Sequence, residues 1–311
     1  MELVRGRRGL KPSPRGCVAS IGNYDGVHLG HQAVLQSLRE KGRELGLPVA
    51  LVLFEPTPQE YFARSAPPAR LTRFREKWPL LEAAGVERVV CLRFDKALAE
   101  LEAEDFIRQV LVQGLGVKHL TVGDDFRFGR GRRGDFALLK HAGQTQGFEV
   151  EDTASLLQDG ERVSSSRIRA LLIEGDMAGA ARLLGRPFSL SGHVMHGERL
   201  GRTLGFHTAN LALARKTSPL SGIFAARVHG VGEGVRDAAA YVGRRPAVGG
   251  VKLALEVHLL DFTGDLYGRQ LKVEFLERLR EDRHFDSLDA LKAQMQEDVQ
   301  AARARLAAYR H

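Results

Sequence analysis

Apolar positions in the first half of the chain follow two alternating patterns. Short continuous runs at Cys17–Ile21, Pro48–Phe54, Glu87–Leu92 and Lys118–Val122 read as buried strands, and Phe148–Val150 as a short fifth. Between them apolar residues recur at helical spacing. Val34, Leu35 and Leu38 are followed by Leu45 two turns on, and Thr72–Ala84, Ala103–Leu115 and Gly134–Gln146 read as further helices. Runs this apolar suit strands buried on both faces, so their alternation with helices predicts an open α/β sheet of parallel strands with right-handed crossovers. Thr72 is the expected cap of its helix, and Pro79 is expected to kink or split it. Ser164, Ser165 and Ser166 open another helix, with Ile168, Leu171 and Leu172 on its apolar face, and Met177–Leu184 forms a short one after it.

Near Gly185-Arg186-Pro187 the pattern changes. Short strand-like runs follow between glycine turns, at Phe188–Met195, Ile223–Val231, Ala238–Val242, Leu253–Asp261 and Gln270–Phe275. That regular spacing predicts a small antiparallel β-barrel. Ser287–Tyr309 then sets Leu288, Leu291, Met295, Val299, Ala302 and Leu306 on one helix face, which would cover the barrel or the junction. The expected division is therefore 1–185 and 186–311.

Composition narrows the class. A chain of 311 residues has the length of about two domains. No run of about 18 apolar residues occurs, so no membrane partner is expected. The basic start, Met1 to Arg8, lacks the apolar stretch of a signal peptide. The two cysteines, Cys17 and Cys91, lie in apolar runs and read as reduced core residues of a cytoplasmic protein. The net charge of +8 is spread along the chain, with a cluster from Arg127 to Arg133 interleaved with glycine. A positive field around a pocket for phosphates accounts for that spread as well as nucleic acid does, and nucleic acid is not expected as a partner.

Three stretches carry candidate chemistry. The first is Gly22 to His31, between a strand and a helix, where glycines let the backbone approach an anion and the first helical N–H groups face it. His28 and His31, three apart across a glycine, can face one bound group and hydrogen-bond the charge that develops on a reacting phosphate. By themselves they equally suit a surface pair, a helix cap or one edge of a metal site, for which no third ligand is close in sequence. The second stretch, Gly123 to Arg130, combines two acids, two aromatics and two arginines, and reads as a wall for a planar ring with charges for a phosphate, or as a charged surface loop. The third is the serine-rich helix start, whose hydroxyls suit both capping and triphosphate binding.

The strand, glycine turn and His28-Leu29-Gly30-His31 run resemble the signature of the nucleotidyltransferase superfamily. Nearly the whole chain resembles the bifunctional bacterial riboflavin kinase/FAD synthetase family. In the first half the matching motifs are Gly22–His31, Phe54-Glu55-Pro56, Gly123–Gly129 and Ser164–Arg169. In the second they are His196–Phe206, Thr208–Leu211, Glu256–Phe262, Gly264–Gly268 and Phe285–Leu288. The resemblance implies a Rossmann-like nucleotidyltransferase domain followed by a riboflavin kinase barrel. It also implies two reactions: riboflavin takes the γ-phosphate of ATP to become FMN, then FMN takes AMP from a second ATP to become FAD. Riboflavin, FMN, FAD and ATP are the partners so implied, with Mg²⁺ accompanying ATP and no tightly held metal. An adenylyltransferase whose kinase half is weak or only binds flavin is the alternative.

On this resemblance, Gly22, Asp25, His28, His31, Ser165, Ser166 and Arg169 bind ATP in the first reaction, His28 and His31 acting on the phosphates. Phe62, Asp125 and Phe128 lie on the flavin side. Gly197, Gly201 and Gly205 belong to a flap over the ATP phosphates of the kinase. Thr208 and Asn210 are metal ligands, Glu256 is the catalytic base, and Arg280 and Phe285 bind flavin. Strand alternation sets Glu256, His258 and Leu260 on one face, so Glu256 either faces the barrel lumen or is a salt-bridged acid at the barrel rim. Several positions depart from the family pattern: Tyr24 replaces phenylalanine, Thr57 histidine, His207 proline and Asp282 glutamate, and Tyr241 and Ala247 replace an asparagine and a threonine. The last pair implies a kinase pocket that is either rebuilt locally or less active.

Overall fold

The computed structural model describes residues 1–310 except 65–66, 124, 154–155, 196–207 and 248–249. By compactness the chain divides into two units. Met1–Pro68 with Arg73–Val163 forms one, and Ser164–His311 with the short segment Ala69–Thr72 forms the other.

The first unit is an α/β sheet. Its elements are β1 (Glu2–Arg5), β2 (Cys17–Ile21), α1 (Leu29–Leu45), β3 (Val49–Glu55), α2 (Pro58–Phe62), α3 (Phe74–Ala83), β4 (Arg88–Arg93), α4 (Lys96–Ala99), α5 (Ala103–Phe106), β5 (Val117–Val122), α6 (Phe136–Gln146) and β6 (Glu149–Asp152). A two-residue hairpin follows, β7 (Leu157–Gln158) with β8 (Glu161–Arg162). The sheet order is β1-β4-β3-β2-β5-β6, and every pairing is parallel. Both faces are covered, as the apolar runs require. Ala50 and Val52 of β3 join one core cluster with Leu111 and Leu120, and Val49, Leu51 and Leu53 join the other with Leu35 and Leu38 of α1.

One strand lies outside the apolar pattern, and three local expectations need correction. β1 is an edge strand with only Leu3 and Val4 apolar between charged residues, too short a run to show in the pattern. Helix α3 is capped at Arg73, whose N–H donates to Glu76 Oε2 at 2.7 Å, and Thr72 lies outside it. Pro79 sits inside this helix without splitting it, and the winding continues to Ala84 N–H, which donates to Leu80 O at 3.1 Å. The run after α5 is wound as a π-helix over Ile107–Leu115. There Gly114 packs so closely that a Cβ would sit 2.7 Å from Gln109 O.

The second unit opens with α7 (Ser165–Glu174) and α8 (Met177–Leu184). It continues with β9 (Phe188–Met195), β10 (Thr208–Ala212), β11 (Gly222–His229), β12 (Arg236–Ala247), β13 (Gly250–Leu259), β14 (Gln270–Arg280) and α9 (Leu288–Ala307). The six strands close as β10-β13-β12-β11-β14-β9, all antiparallel. Phe224, Ala240 and Val257 are cross-strand neighbours, all fully buried, and Phe224 meets Phe275 edge to face at 5.3 Å. These side chains fill the lumen. On the outer wall Ala225, Ala239 and Leu260 pack against Val299, Ala302 and Leu306 of α9. The small alanines let the helix approach, and α9 lies on the barrel as its apolar face predicts, except that Leu288 at its start is exposed.

Among the described residues no helix is long and apolar enough to cross a membrane. Replacing Phe224 by alanine should destabilise the second unit by about 3–5 kcal/mol, read from its denaturant midpoint, while Leu288→Ala should stay within about 0.5 kcal/mol.

Candidate active sites

In the first unit, β2 ends in a turn that feeds α1. Tyr24 (φ 48°) and Val27 (φ 42°) hold left-handed backbone there. Tyr24 is buried, and its hydroxyl donates to Ser20 Oγ at 2.7 Å. Burial pushes the Tyr24 phenol up to about 12. His28 caps α1: its Nδ1 accepts from the His31 N–H at 3.3 Å. The two imidazoles stack with centroids 3.6 Å apart, and Tyr24 flanks His31 at 4.7 Å. Gly30 makes the stack possible, because a Cβ there would stand 3.2 Å from His28 Nδ1. Lys77 of α3 is buried beside the turn and donates to Asn23 O.

This setting holds His31 neutral. Burial, and then the charges of His28 and Lys77, lower its pKa well below the usual imidazole value. Its Nδ1 is buried with no hydrogen-bond partner among the described residues. A neutral imidazole beside a cation and a helix N-terminus suits the neighbourhood of a phosphate. Asp25 is buried in the same turn, and Gly22 anchors it through its N–H to Val52 O at 3.1 Å.

Beyond β3 the Glu55–Pro56 peptide is cis, and Thr57 caps α2, accepting from the Glu60 N–H at 3.3 Å while its own N–H donates to Glu60 Oε2 at 2.8 Å. Thr57 is thus a capping residue here. Phe54, Tyr61, Phe62 and Phe94 form an edge-to-face cluster with centroids 5.0–5.8 Å apart. Phe62 is 62% exposed, so it is no core residue, and its face is open to a planar ring. Phe128 is buried against Phe106 and stacked on the half-buried Phe126 at 5.4 Å. Asp125 is exposed, 3.9 Å from Arg162.

In the second unit Ser164 caps α7, accepting from the Arg167 N–H at 3.2 Å, so Ser165 and Ser166 are the first helical residues. Arg169 donates to Ala69 O at 2.7 Å. A cavity of about 560 Å³ lies on the outer wall of the barrel under α9. Strand register builds its floor. One row runs Ile223, Tyr241, Glu256, Asn210, and the next Ala225, Ala239, His258, Thr208. Glu256 therefore faces outward, and of the two readings the lumen-facing one is corrected: Leu255, Val257 and Leu259 take the inward positions because the lumen is packed with apolar side chains. Glu256 Oε1 pairs with Arg245 Nη1 at 2.6 Å. Leu291, Met295 and Val299 of α9 make the apolar wall. Arg280 closes one end, held by two 2.8 Å bonds to Asp298 and lying over the Phe285 ring at 5.6 Å.

Residues 10–167 match the FAD synthetase family model, and residues 184–306 match the riboflavin kinase model. The chain is 50% identical over 304 residues to the bifunctional riboflavin kinase/FMN adenylyltransferase of Escherichia coli (strain K12), covering 97% of each chain. It is 50% identical over 312 residues to the protein of that name from Pseudomonas fluorescens, covering 100% of each. The chain belongs to the bifunctional riboflavin kinase/FMN adenylyltransferase family. A solved structure named a macrolide-efflux protein from Streptococcus pneumoniae resembles it with a TM-score of 0.84 at 28% identity, over 97% of this chain and 99% of that one.

The structure brings Gly22, Asp25, His28 and His31 into one turn of the first unit. It brings Thr208, Glu256, Arg280 and Phe285 around one cavity of the second, with Asn210 beside Glu256 on the same wall. Gly197, Gly201, Gly205 and His207 lie outside the described residues, as does the side chain of Ala247. Two further residues escaped sequence reasoning. Lys77 carries a signal after all: a lone lysine on the apolar stripe Phe74, Lys77, Trp78, Leu81. Arg245 carries none, since its pairing with Glu256 comes from the β12–β13 register.

The low pKa of His31 predicts acid sensitivity. Its folded value lies below the unfolded one of about 6.5. As pH falls through that window the unfolded chain therefore binds the proton first, and stability present above pH about 6.5 is lost towards the folded pKa. His31→Gln should remove this part of the decline, measured as the denaturant midpoint of the first unit at pH 7.5 and pH 5.5.

Proposed function

We propose that the cavity under α9 is the site where riboflavin is phosphorylated, and that the His28–His31 turn is where ATP is held for adenylyl transfer to FMN. The observation that carries the first assignment is the outward row Tyr241, Glu256, Asn210 beside Thr208, facing an apolar helix wall. The isoalloxazine ring would lie against Leu291, Met295 and Val299, with its ribityl chain directed to Glu256. Glu256 accepts the proton of the riboflavin hydroxyl as that oxygen attacks the γ-phosphorus and ADP leaves. The Thr208 hydroxyl and Asn210 amide oxygens are hard donors beside one carboxylate, a set that suits Mg²⁺ keeping several waters and the ATP phosphates. When bound, the ion would neutralise phosphate charge. Gly197, Gly201 and Gly205 are assigned to the flap over those phosphates on the family resemblance alone.

For adenylyl transfer the FMN phosphate is already an anionic nucleophile, so the first unit works by positioning and charge neutralisation. FMN oxygen bonds to the α-phosphorus as pyrophosphate departs. His31 offers a neutral ring, His28 stacks on it, and Lys77 supplies nearby positive charge. The exposed Phe62 cluster suits the flavin ring, with Asp125 on the same side by resemblance. Ser165, Ser166 and Arg169 belong to the second unit, and a role for them as ATP ligands rests on the family resemblance alone.

Glu256→Gln should cut FMN formation from riboflavin by about 100- to 10,000-fold and leave FAD formation from FMN at the parent rate. His31→Ala should do the reverse, lowering FAD formation about 100-fold or more. Chromatographic time courses started from riboflavin and from FMN read both. Parallel loss of the two activities in either variant would overturn the separate assignments.

A further inference from the structure

Two residues that line the cavity, Tyr241 on β12 and Asp282 on the segment after β14, meet in space. They are 41 residues apart, yet Tyr241 Oη donates to Asp282 Oδ2 at 2.9 Å. The longer side chain on the barrel wall meets the shorter acid on the segment joining β14 to α9.

Three neighbours tie this contact to the flavin cavity. The Tyr241 ring lies under the Arg245 guanidinium at 5.2 Å, and Arg245 in turn pairs with Glu256. On the other side, Asp282 belongs to a segment whose Phe285 lies between the guanidiniums of Arg280 and Arg283, at 5.6 and 4.9 Å. Room for the phenol comes from Gly243, where a Cβ would stand 2.0 Å from Tyr241 Oη. Burial and the adjacent carboxylate push the phenol up to about 12, so it stays a donor at neutral pH.

We propose that Tyr241 and Asp282 form a latch: the phenol holds residues 281–285 against the barrel wall and so sets the affinity for riboflavin. Tyr241 is a positioning residue, acting through the segment on the flavin and through Arg245 on Glu256. The inference rests on the reading of this cavity as the riboflavin site.

The test uses the full chain in five forms besides the parent: Tyr241→Phe, Tyr241→Asn, Asp282→Glu, the double variant Tyr241→Asn/Asp282→Glu, and Gly243→Ala. Riboflavin affinity is measured by quenching of flavin fluorescence without ATP, then KM and kcat for FMN formation, with conversion of FMN to FAD as the control for folding. Tyr241→Phe should weaken riboflavin binding about 5-fold, the worth of one hydrogen bond, and leave kcat within about 2-fold because the ring under Arg245 remains. Gly243→Ala should weaken binding similarly by displacing the phenol. Tyr241→Asn should also lower kcat. The double variant should return to within about 2-fold of the parent in affinity, which two independent losses would not. Parent-like riboflavin affinity in both Tyr241→Phe and Gly243→Ala, or additive losses in the double variant, would overturn the latch. A parent that binds riboflavin but makes no FMN would sink the kinase assignment while the affinity measurements still test the latch. A parent that does not bind riboflavin at all would overturn both.

Discussion

A six-stranded barrel has no room inside for a ligand. Its lumen is smaller than that of the eight-stranded barrels whose interior side chains alone can fill, and here Phe224, Phe275, Ala240 and Val257 occupy it completely. Everything polar that the strands carry on alternate positions must therefore point outward. That constraint sends Glu256, His258, Thr208 and Tyr241 to the outer wall, where they would be solvated surface residues if nothing covered them. Helix α9 covers one part of the wall through Ala225 and Ala239, two side chains small enough for it to approach, and leaves a cavity beside them. The site exists because one stretch of wall is alanine and the next is not.

The first unit solves a related problem differently. Its parallel strands are buried on both faces, so chemistry is left to the turns at their carboxyl ends. The turn after β2 combines left-handed backbone at Tyr24 and Val27, an imidazole that caps α1, and a second imidazole stacked on the first. The capping and phosphate-binding readings of His28 are not rivals. Using the His28 ring nitrogen to satisfy an N–H of the helix fixes that ring, and the fixed ring orients His31. Burial and neighbouring charge then keep His31 uncharged.

Departures from a family pattern acquire meaning only with their neighbours. Thr57 looks like a lost imidazole in sequence, but in the fold it is half of a reciprocal cap with Glu60. Tyr241 and Asp282 look like two unrelated changes, one severe and one mild. Across the gap between β12 and the start of α9 they are donor and acceptor of a single hydrogen bond.

The order of strands and helices in the first unit, the onset of a barrel after Gly185 and the apolar face of α9 were legible because burial imposes periods of two and 3.6 on hydrophobicity, and those periods survive in one dimension. So were the histidine turn and the glutamate, whose motifs are contiguous. The edge strand β1 was not legible, since an edge is buried on too few sides to need a long apolar run. Nor was the winding of Ile107–Leu115, because the π and α forms differ little in period. Strand alternation separated Glu256 from Val257 but did not say which of them faced the lumen. That choice is made by barrel closure, which admits only the apolar set. Lys77 beside His31, Arg245 on Glu256 and Tyr241 on Asp282 were likewise settled by tertiary structure. Each pair joins residues far apart in the chain or on paired strands, and such contacts follow from packing and register that local pattern does not carry.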